Sequence, residues 1–328
     1  MRTGVGVVLL LAVAAAGGAL FAHWHGRDAA PSARPQQCLA TTTAGEHPGM
    51  VWIEGGTFSM GSEVTFPEEA PVTRASVAGF WIDQTEVTNA QFADFVAATG
   101  YRTLAERGIR LSDQPDAPAV AGSAVFRPQA DEEAMRSQVN WWKFQPGADW
   151  RHPDGVGTNI DGLEKHPVVH VTYEDALAYA KWKGRTLPTE EQFEFAARGA
   201  ARKNAKGEFA ANSWQGTFPT HNTAADGYAG TAPVGCFEAN PQGLYDMVGN
   251  VWEWTLSPYF PSHRPEQKSA HPQGFDPAQP EEKSVAVLKG GSYLCSPDYC
   301  MRYRPEARIG QSLGLGASHI GFRTVLNP

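Results

Sequence analysis

The chain has 328 residues, 42% of them hydrophobic, and a net charge of −8 from 27 basic and 35 acidic side chains. That hydrophobic share supplies a core and excludes global disorder, and the acidic balance argues against a general nucleic-acid surface. Four cysteines are too few for a scaffold built from disulfides, whereas 34 glycines, 24 prolines and 10 tryptophans predict long ordered loops pinned by aromatic side chains.

The chain opens with Arg2 and an uncharged, mostly apolar run from Gly4 to Ala22. Residues 1–22 read either as a signal peptide or as a membrane anchor. Both readings place the rest of the chain outside the cytoplasm: periplasmic, secreted or anchored facing outward. Residues 23–48 are polar, rich in Ala, Pro, Thr and Gln, and read as a linker. Residues 49–328 show no comparable break, no heptads and no tandem repeat, which predicts one domain of catalytic size.

Three helices are announced by their caps. Thr88 and Gln91 have capping-box spacing, followed by Phe92, Phe95 and Val96 on one face and Gly100 as a stop. Thr172 caps a second helix that aligns Tyr173, Ala176, Leu177 and Ala180 and ends at Gly184. Thr189 and Gln192 form another box, with Phe193, Ala196 and Ala197 inward and Gly199 beyond. Strands are predicted at Met50–Ile53, Ala78–Asp83, Val168–Val171, Val285–Lys289 and Phe322–Val325. The class is α+β with little regular structure.

The chemistry concentrates in Gly290-Gly291-Ser292-Tyr293-Leu294-Cys295-Ser296-Pro297-Asp298-Tyr299-Cys300. Two thiols five positions apart meet only if the chain turns between them, and Pro297 and Asp298 favour a turn. Converging thiolates suit Cu(I); in an oxidising compartment they equally suit a disulfide. Zinc fits less well, because no second Cys/His pair stands at finger spacing. Cys38 and Cys236 are open between a mutual disulfide and two free thiols.

The surroundings of the pair resemble the formylglycine-generating enzyme family. The stretches that carry the resemblance are Gly290-Gly291-Ser292-Tyr293 before the pair, Arg302-Tyr303-Arg304 and Arg308 after it, and Gly321-Phe322-Arg323. Earlier matches are Gly55 to Gly61, Thr85-Glu86-Val87-Thr88-Asn89, His166 to Val171, Arg185 to Glu190 and Val248-Gly249-Asn250-Val251-Trp252-Glu253-Trp254. Together they span about residues 50–326. The resemblance implies the formylglycine-generating-enzyme fold, a C-type-lectin-like variant. It also implies a copper-dependent oxidase that uses O2 to convert a cysteine in a substrate polypeptide, such as a sulfatase with a Cys-x-Pro-x-Arg context, to Cα-formylglycine. Cys295 and Cys300 would be the Cu(I) ligands, Ser292 a pocket residue, Trp252 an aromatic wall and Tyr299 a family tyrosine in the same catalytic set.

Two calcium sites are implied in the same way: Asn212, Ser213, Asp226 and Tyr228 at one, and Asp246, Gly249, Val251 and Glu253 at the other. Without the resemblance these loops read as solvated Asx turns. The four arginines 302, 304, 308 and 323 read either as an ion-pair network or as a grip on a peptide backbone. The expected protein is a monomer that touches a membrane only through its N-terminal segment. Ser296 stands where related enzymes often have His or Asn, and 309–318 lacks an Asn-Thr-Pro-Asp-like run, which bears on substrate sequence. Two rival readings remain: a non-catalytic binding module on the same scaffold, and a non-haem iron oxidase drawing on His166, His170 and His319.

Overall fold

A computed structural model describes residues 38–39, 46–109, 118–128, 141–264 and 285–328. The apolar run at 4–22 and most of the 23–48 segment lie outside the described residues. Among the described residues no helix is long and apolar enough to cross a membrane.

The helices form where their caps predict. α1 (Asn89–Thr99) starts with the Thr88–Gln91 box and stops at Gly100, which takes a left-handed φ of 67°. α2 (Leu104–Arg107) is a single turn with its own Thr103–Glu106 box, too short to show in the apolar spacing. α3 (Tyr173–Trp182) and α4 (Glu190–Ala197) carry boxes at Thr172–Asp175 and Thr189–Gln192. Each cap satisfies backbone N–H groups that the first turn leaves unpaired, worth about 1 kcal/mol apiece.

The strands gather into two sheets and two hairpins. β1 (Met50–Ile53), β4 (Phe80–Asp83) and β11 (Val325–Leu326) form an antiparallel sheet in the order β1-β4-β11. The second sheet runs β10-β7-β8-β9, built from β7 (Trp252–Pro258), β8 (Val285–Lys289), β9 (Arg308–Ser312) and β10 (Ile320–Gly321), with β10 parallel to β7. Hairpins β2–β3 (Gly56–Met60, Thr73–Val77) and β5–β6 (Gly122–Phe126, Trp142–Pro146) complete the set.

Two strand expectations need correction. Val168–Val171 is not a strand, although Val168 and Val171 are fully buried. His170 sits at φ 62°, which breaks an extended ladder. The kink lets Gly316 pack on the His170 backbone, where a Cβ would come within 2.8 Å. Near the C-terminus, pairing falls on β10 and β11 rather than on a continuous 322–325 strand, so Phe322 enters the core between them.

The larger core cluster joins Phe92 and Phe95 of α1, Tyr179 of α3, Trp252 and Trp254 of β7, Leu288 of β8, Trp150 and Phe322. Cys295 and Cys300 belong to this cluster, so the thiol loop is set into the main core rather than onto the surface.

Candidate active site and cation-binding loops

β8 is buried along its whole length and ends at Lys289, whose ammonium is 2.8 Å from the Glu194 carboxylate of α4. The chain then turns at Gly290 and Gly291, with φ 92° and 78°. A side chain at Gly291 would run into the backbone of Arg302 and Tyr303, so the turn requires glycine. The loop beyond is fixed from three directions. The Tyr293 amide donates to the Asn250 carbonyl at 2.8 Å, the Trp214 amide donates to the Cys295 carbonyl at 3.0 Å, and the Cys295 amide donates to the Ser292 carbonyl at 2.9 Å. Ser292 is fully buried, and its hydroxyl oxygen accepts from the Leu294 amide at 3.3 Å.

Residues 296–301 close on a single acceptor. The Ser296 carbonyl receives the Cys300 and Met301 amides at 3.2 and 3.0 Å. This closure brings Cys295 and Cys300 to a Cα–Cα distance of 4.8 Å, with their sulfurs joined. Cys295 is 1% and Cys300 9% exposed. Trp252 packs in the same cluster, and its amide donates a hydrogen bond to the His319 carbonyl at 2.8 Å. Tyr299 points the other way. It is 44% exposed, stacks on Phe218 at 4.4 Å and meets the edge of Trp141 at 5.0 Å. Of the five residues expected at the reaction centre, four therefore share the buried loop and core, and Tyr299 forms an aromatic ledge at the surface.

The loops expected to hold calcium are both ordered by buried carboxylates. At the first, Asp226 accepts from the Ser213 amide at 2.9 Å and the Tyr228 amide at 3.1 Å. Asn212 Oδ1 is buried with no partner. Gln215, which sequence reading missed, donates to the Asp226 carboxylate at 2.7 Å and also to the Ser213 carbonyl. Its amide partly satisfies oxygens that a cation would otherwise share.

The second loop is further from satisfied. Asp246 takes φ 55°, accepts from the Gly235 amide at 2.6 Å with one oxygen, and leaves the other buried and unpartnered. Glu253 is gripped by both arms of Arg323 at 2.7 and 2.8 Å, and both side chains are fully buried. Beside them stands Glu86, 0% exposed, with neither carboxylate oxygen bonded. Burial first, then the charges of Asp246 and Glu253, hold the Glu86 pKa well above its usual range. Burial likewise pushes Asp246 up to about 6. Three buried carboxylates thus lie in the field of one guanidinium, and only Glu86 and Asp246 keep oxygens without partners. Sequence reading missed Glu86 because it lies 160 positions from Asp246. Its one local signal is a charged residue wedged beside Val87 just before a helix cap.

Among the described residues no three His, Cys, Asp or Glu side chains converge closely enough to hold a metal by themselves. Copper here would have two protein thiolates, and calcium would draw on carbonyl and amide oxygens as well. The histidines do not assemble a triad either. His166 is engaged with Thr231 at 2.9 Å, His170 Nε2 lies 2.9 Å from the Pro153 carbonyl, and the His319 ring packs on Trp142. Burial lowers His170 to about 4 and His319 to about 3, so both are neutral.

The arginines form ion pairs. Arg302 meets Glu68 at 2.5 Å, Arg304 meets Glu69 at 2.6 Å, and Arg308 grips Glu190 at 2.6 and 3.1 Å. Cys38 and Cys236, open in sequence, are joined as a disulfide across 198 positions.

Comparison with known proteins matches residues 35–328 to the sulfatase-modifying factor enzyme 1-like domain. The chain is 46% identical over 293 residues to the formylglycine-generating enzyme of Mycobacterium tuberculosis, covering 85% of this chain and 98% of that protein. It is 38% identical over 322 residues to the mouse (Mus musculus) formylglycine-generating enzyme, covering 91% and 82%. A mouse protein named inactive C-alpha-formylglycine-generating enzyme 2 is 35% identical over 294 residues, covering 85% of each. Among solved structures, PvdO from Pseudomonas aeruginosa superposes with a TM-score of 0.56 at 22% identity, covering 90% of this chain and 99% of that one, a likeness of fold.

Proposed function

Because the chain belongs to the sulfatase-modifying factor family, we propose that it is a formylglycine-generating oxidase acting on a cysteine of a client polypeptide. The client class is a sulfatase carrying Cys-x-Pro-x-Arg. One observation carries the reading: Cys295 and Cys300 are folded together inside the core, on a loop whose Tyr299 is partly exposed and stacked on Phe218. The overall conversion takes a CH2SH group and dioxygen, with two electrons and two protons from an external thiol, to CHO, hydrogen sulfide and water.

The joined sulfurs must first be reduced, which gives two thiolates on a pre-shaped loop. Cu(I) held by Cys295 and Cys300 would supply affinity for the client's thiolate and reactivity toward dioxygen. The remaining work belongs to the chain. The bonds of Tyr293 and Cys295 to Asn250, Trp214 and Ser292, with those of Cys300 and Met301 to Ser296, shape the loop that carries the two sulfurs. Trp252 and the surrounding core keep bulk water from the reacting carbon. Tyr299, backed by Phe218 and Trp141, offers the client a flat apolar face.

Calcium belongs in this reading as a structural ion. The free oxygens of Asn212, Asp246 and Glu86 support it, with Ser213, Asp226, Tyr228, Gly249, Val251 and Glu253 as the other donors. The Cys38–Cys236 disulfide supports an exported protein in an oxidising compartment, consistent with residues 1–22 as an export segment or anchor.

The second reading, a non-catalytic module, draws on the similarity to the inactive mouse relative. The test separates them. Reduced, copper-loaded protein is incubated with a Cys-x-Pro-x-Arg peptide, oxygen and a thiol, and the peptide is weighed by mass spectrometry. Oxidation removes one sulfur and two hydrogens and adds one oxygen, and Cys295→Ala or Cys300→Ala abolishes it. If a broad panel of cysteine peptides returns unmodified from the wild-type protein, the binding-module reading takes its place.

A further inference from the structure

We propose that Asp298 sets client specificity: its carboxylate, on the loop that carries the two thiols, selects polypeptides with a basic side chain near the reactive cysteine. The inference rests on the reading of this chain as an oxidase of client cysteines, and adds a charge preference to it.

Between Gly290 and Met301 the chain carries one charged side chain, Asp298. The loop sorts its residues by depth. Cys295, Ser296 and Cys300 are buried, whereas Pro297, Asp298, Tyr299 and Met301 are exposed. The closure onto the Ser296 carbonyl produces this sorting, and Met301 ends the turn at φ 48°. The outer surface of the thiol loop is thus three largely apolar side chains around one carboxylate. A client whose cysteine engages Cys295 and Cys300 lies against that surface. Pro297, Tyr299 and Met301 can cover apolar parts of many sequences, so discrimination falls to the charge.

Asp298 is held in place and left uncompensated. The buried Ser296 hydroxyl donates to Asp298 Oδ1 at 2.5 Å, and Oδ2 has no partner among the described residues. The arginines of this region are committed elsewhere. Arg302 pairs with Glu68, and Arg304 with Glu69 and Glu306. Arg202 donates to Ser213 Oγ and stands over the rings of Phe209 and Tyr303. Among the described residues no Lys, Arg or His forms an ion pair with Asp298. A client lysine or arginine supplies the missing counter-charge, and a client glutamate meets a like charge. The pair is exposed, so its effect is modest and screened by salt, and it acts on selection and encounter more than on tight binding.

The experiment uses the full chain, reduced and copper-loaded, with oxygen and a thiol. Peptides with one central cysteine carry a single lysine, alanine or glutamate stepped through the flanking positions. At one or more positions lysine should exceed glutamate by roughly fivefold to tenfold in kcat/KM at low salt, falling toward parity in about 0.5 M salt. The difference should lie in KM with kcat alike, as for a contact equal in ground and transition states. Asp298→Asn keeps an oxygen for the Ser296 hydroxyl and should erase the preference, and Asp298→Lys should reverse it. A metal-free arm repeats the comparison by fluorescence anisotropy, with labelled peptides whose cysteine is replaced by serine, and should give the same order in Kd. The position at which lysine counts shows whether the basic residue selected is the arginine of Cys-x-Pro-x-Arg or another. Equal use of lysine and glutamate peptides by the wild type, or a preference unaltered in both variants, overturns the role of Asp298 alone. Peptides that all return unmodified overturn the oxidase reading together with the selection that rests on it.

Discussion

Asn250 touches both the thiol loop, through Tyr293, and the Ala232 loop, whose Gly235 donates to Asp246, and the protein finishes the first region and leaves the acidic cluster incomplete. Around Cys295 and Cys300 the main-chain bonds named above are made within the protein and the sulfurs rest in apolar packing. Around Asp246 three carboxylates face one guanidinium, and oxygens of Glu86 and Asp246 lack partners. Buried, unbonded carboxylates cost stability unless something positive joins them. The thiol loop therefore makes its main-chain bonds within the protein, whereas the acidic cluster keeps buried oxygens without partners, held toward their neutral forms by burial.

Experiments that perturb one side and read the other sharpen that contrast. The largest effect belongs to the thiols: Cys295→Ala or Cys300→Ala should lower peptide oxidation by about a thousandfold or more, yet leave the calcium-dependent shift in melting temperature intact. A lost calcium response in those variants would show that the two regions are not separable. Next comes Glu253→Gln, which leaves the buried Arg323 short of its counter-charge. Chemical denaturation should show a loss of about 3–5 kcal/mol, and a loss under 1 kcal/mol would mean that Arg323 finds its partner in Glu86 or Asp246.

Acid acts through two buried histidines outside both regions. His170 is neutral when folded, with its pKa lowered to about 4, and His319 lowered to about 3. Their contribution is complete above the unfolded value near 6.5 and is lost as pH falls toward 4, because only the unfolded state takes up the proton. For His170 alone the loss approaches about 3 kcal/mol. His170→Asn tolerates the left-handed backbone and should flatten the stability profile between pH 6.5 and 4, as measured by denaturant midpoints. An unchanged profile would place the acid sensitivity elsewhere.

The smallest expected effect is calcium itself. At a hundredfold excess over its dissociation constant it should add about 2.7 kcal/mol, and a chelator should remove it. Glu86→Gln should stabilise the metal-free protein and blunt that gain, since it replaces a buried carboxyl that has no partner and is disfavoured as an anion. A calcium response undiminished in Glu86→Gln would assign the ion to the Asn212–Asp226 loop instead.

Sequence made the caps legible because a capping box is local: Thr88, Thr172 and Thr189 each find their partner three residues on. The same locality exposed the thiol loop, since Cys295 and Cys300 need only one turn to meet. Hairpin β2–β3, by contrast, alternates weakly, with inner positions at Phe58 and Met60 and small or polar neighbours. The Val168–Val171 run looked like a strand because its valines are buried, but burial there comes from a kink at His170 that no periodicity reports. The acidic cluster was half legible. Asp246 and Glu253 lie within one short motif, while Glu86 and Gly235 arrive from elsewhere in the chain.

The order in which strands close has a consequence for synthesis. β4 is complete by residue 83 but gains its second neighbour only with β11 at 325–326, and β7 waits for β10 at 320–321. Arg302, Arg304, Arg308 and Arg323 each neutralise an acid made at least 70 residues earlier. A nascent chain on the ribosome therefore carries uncompensated buried-to-be glutamates and open sheet edges until its last tens of residues emerge. Such a topology folds late and as a unit. A truncation that removes Ile320–Leu326 should therefore leave β7, β4 and Glu253 without their closing partners and the chain without a native state.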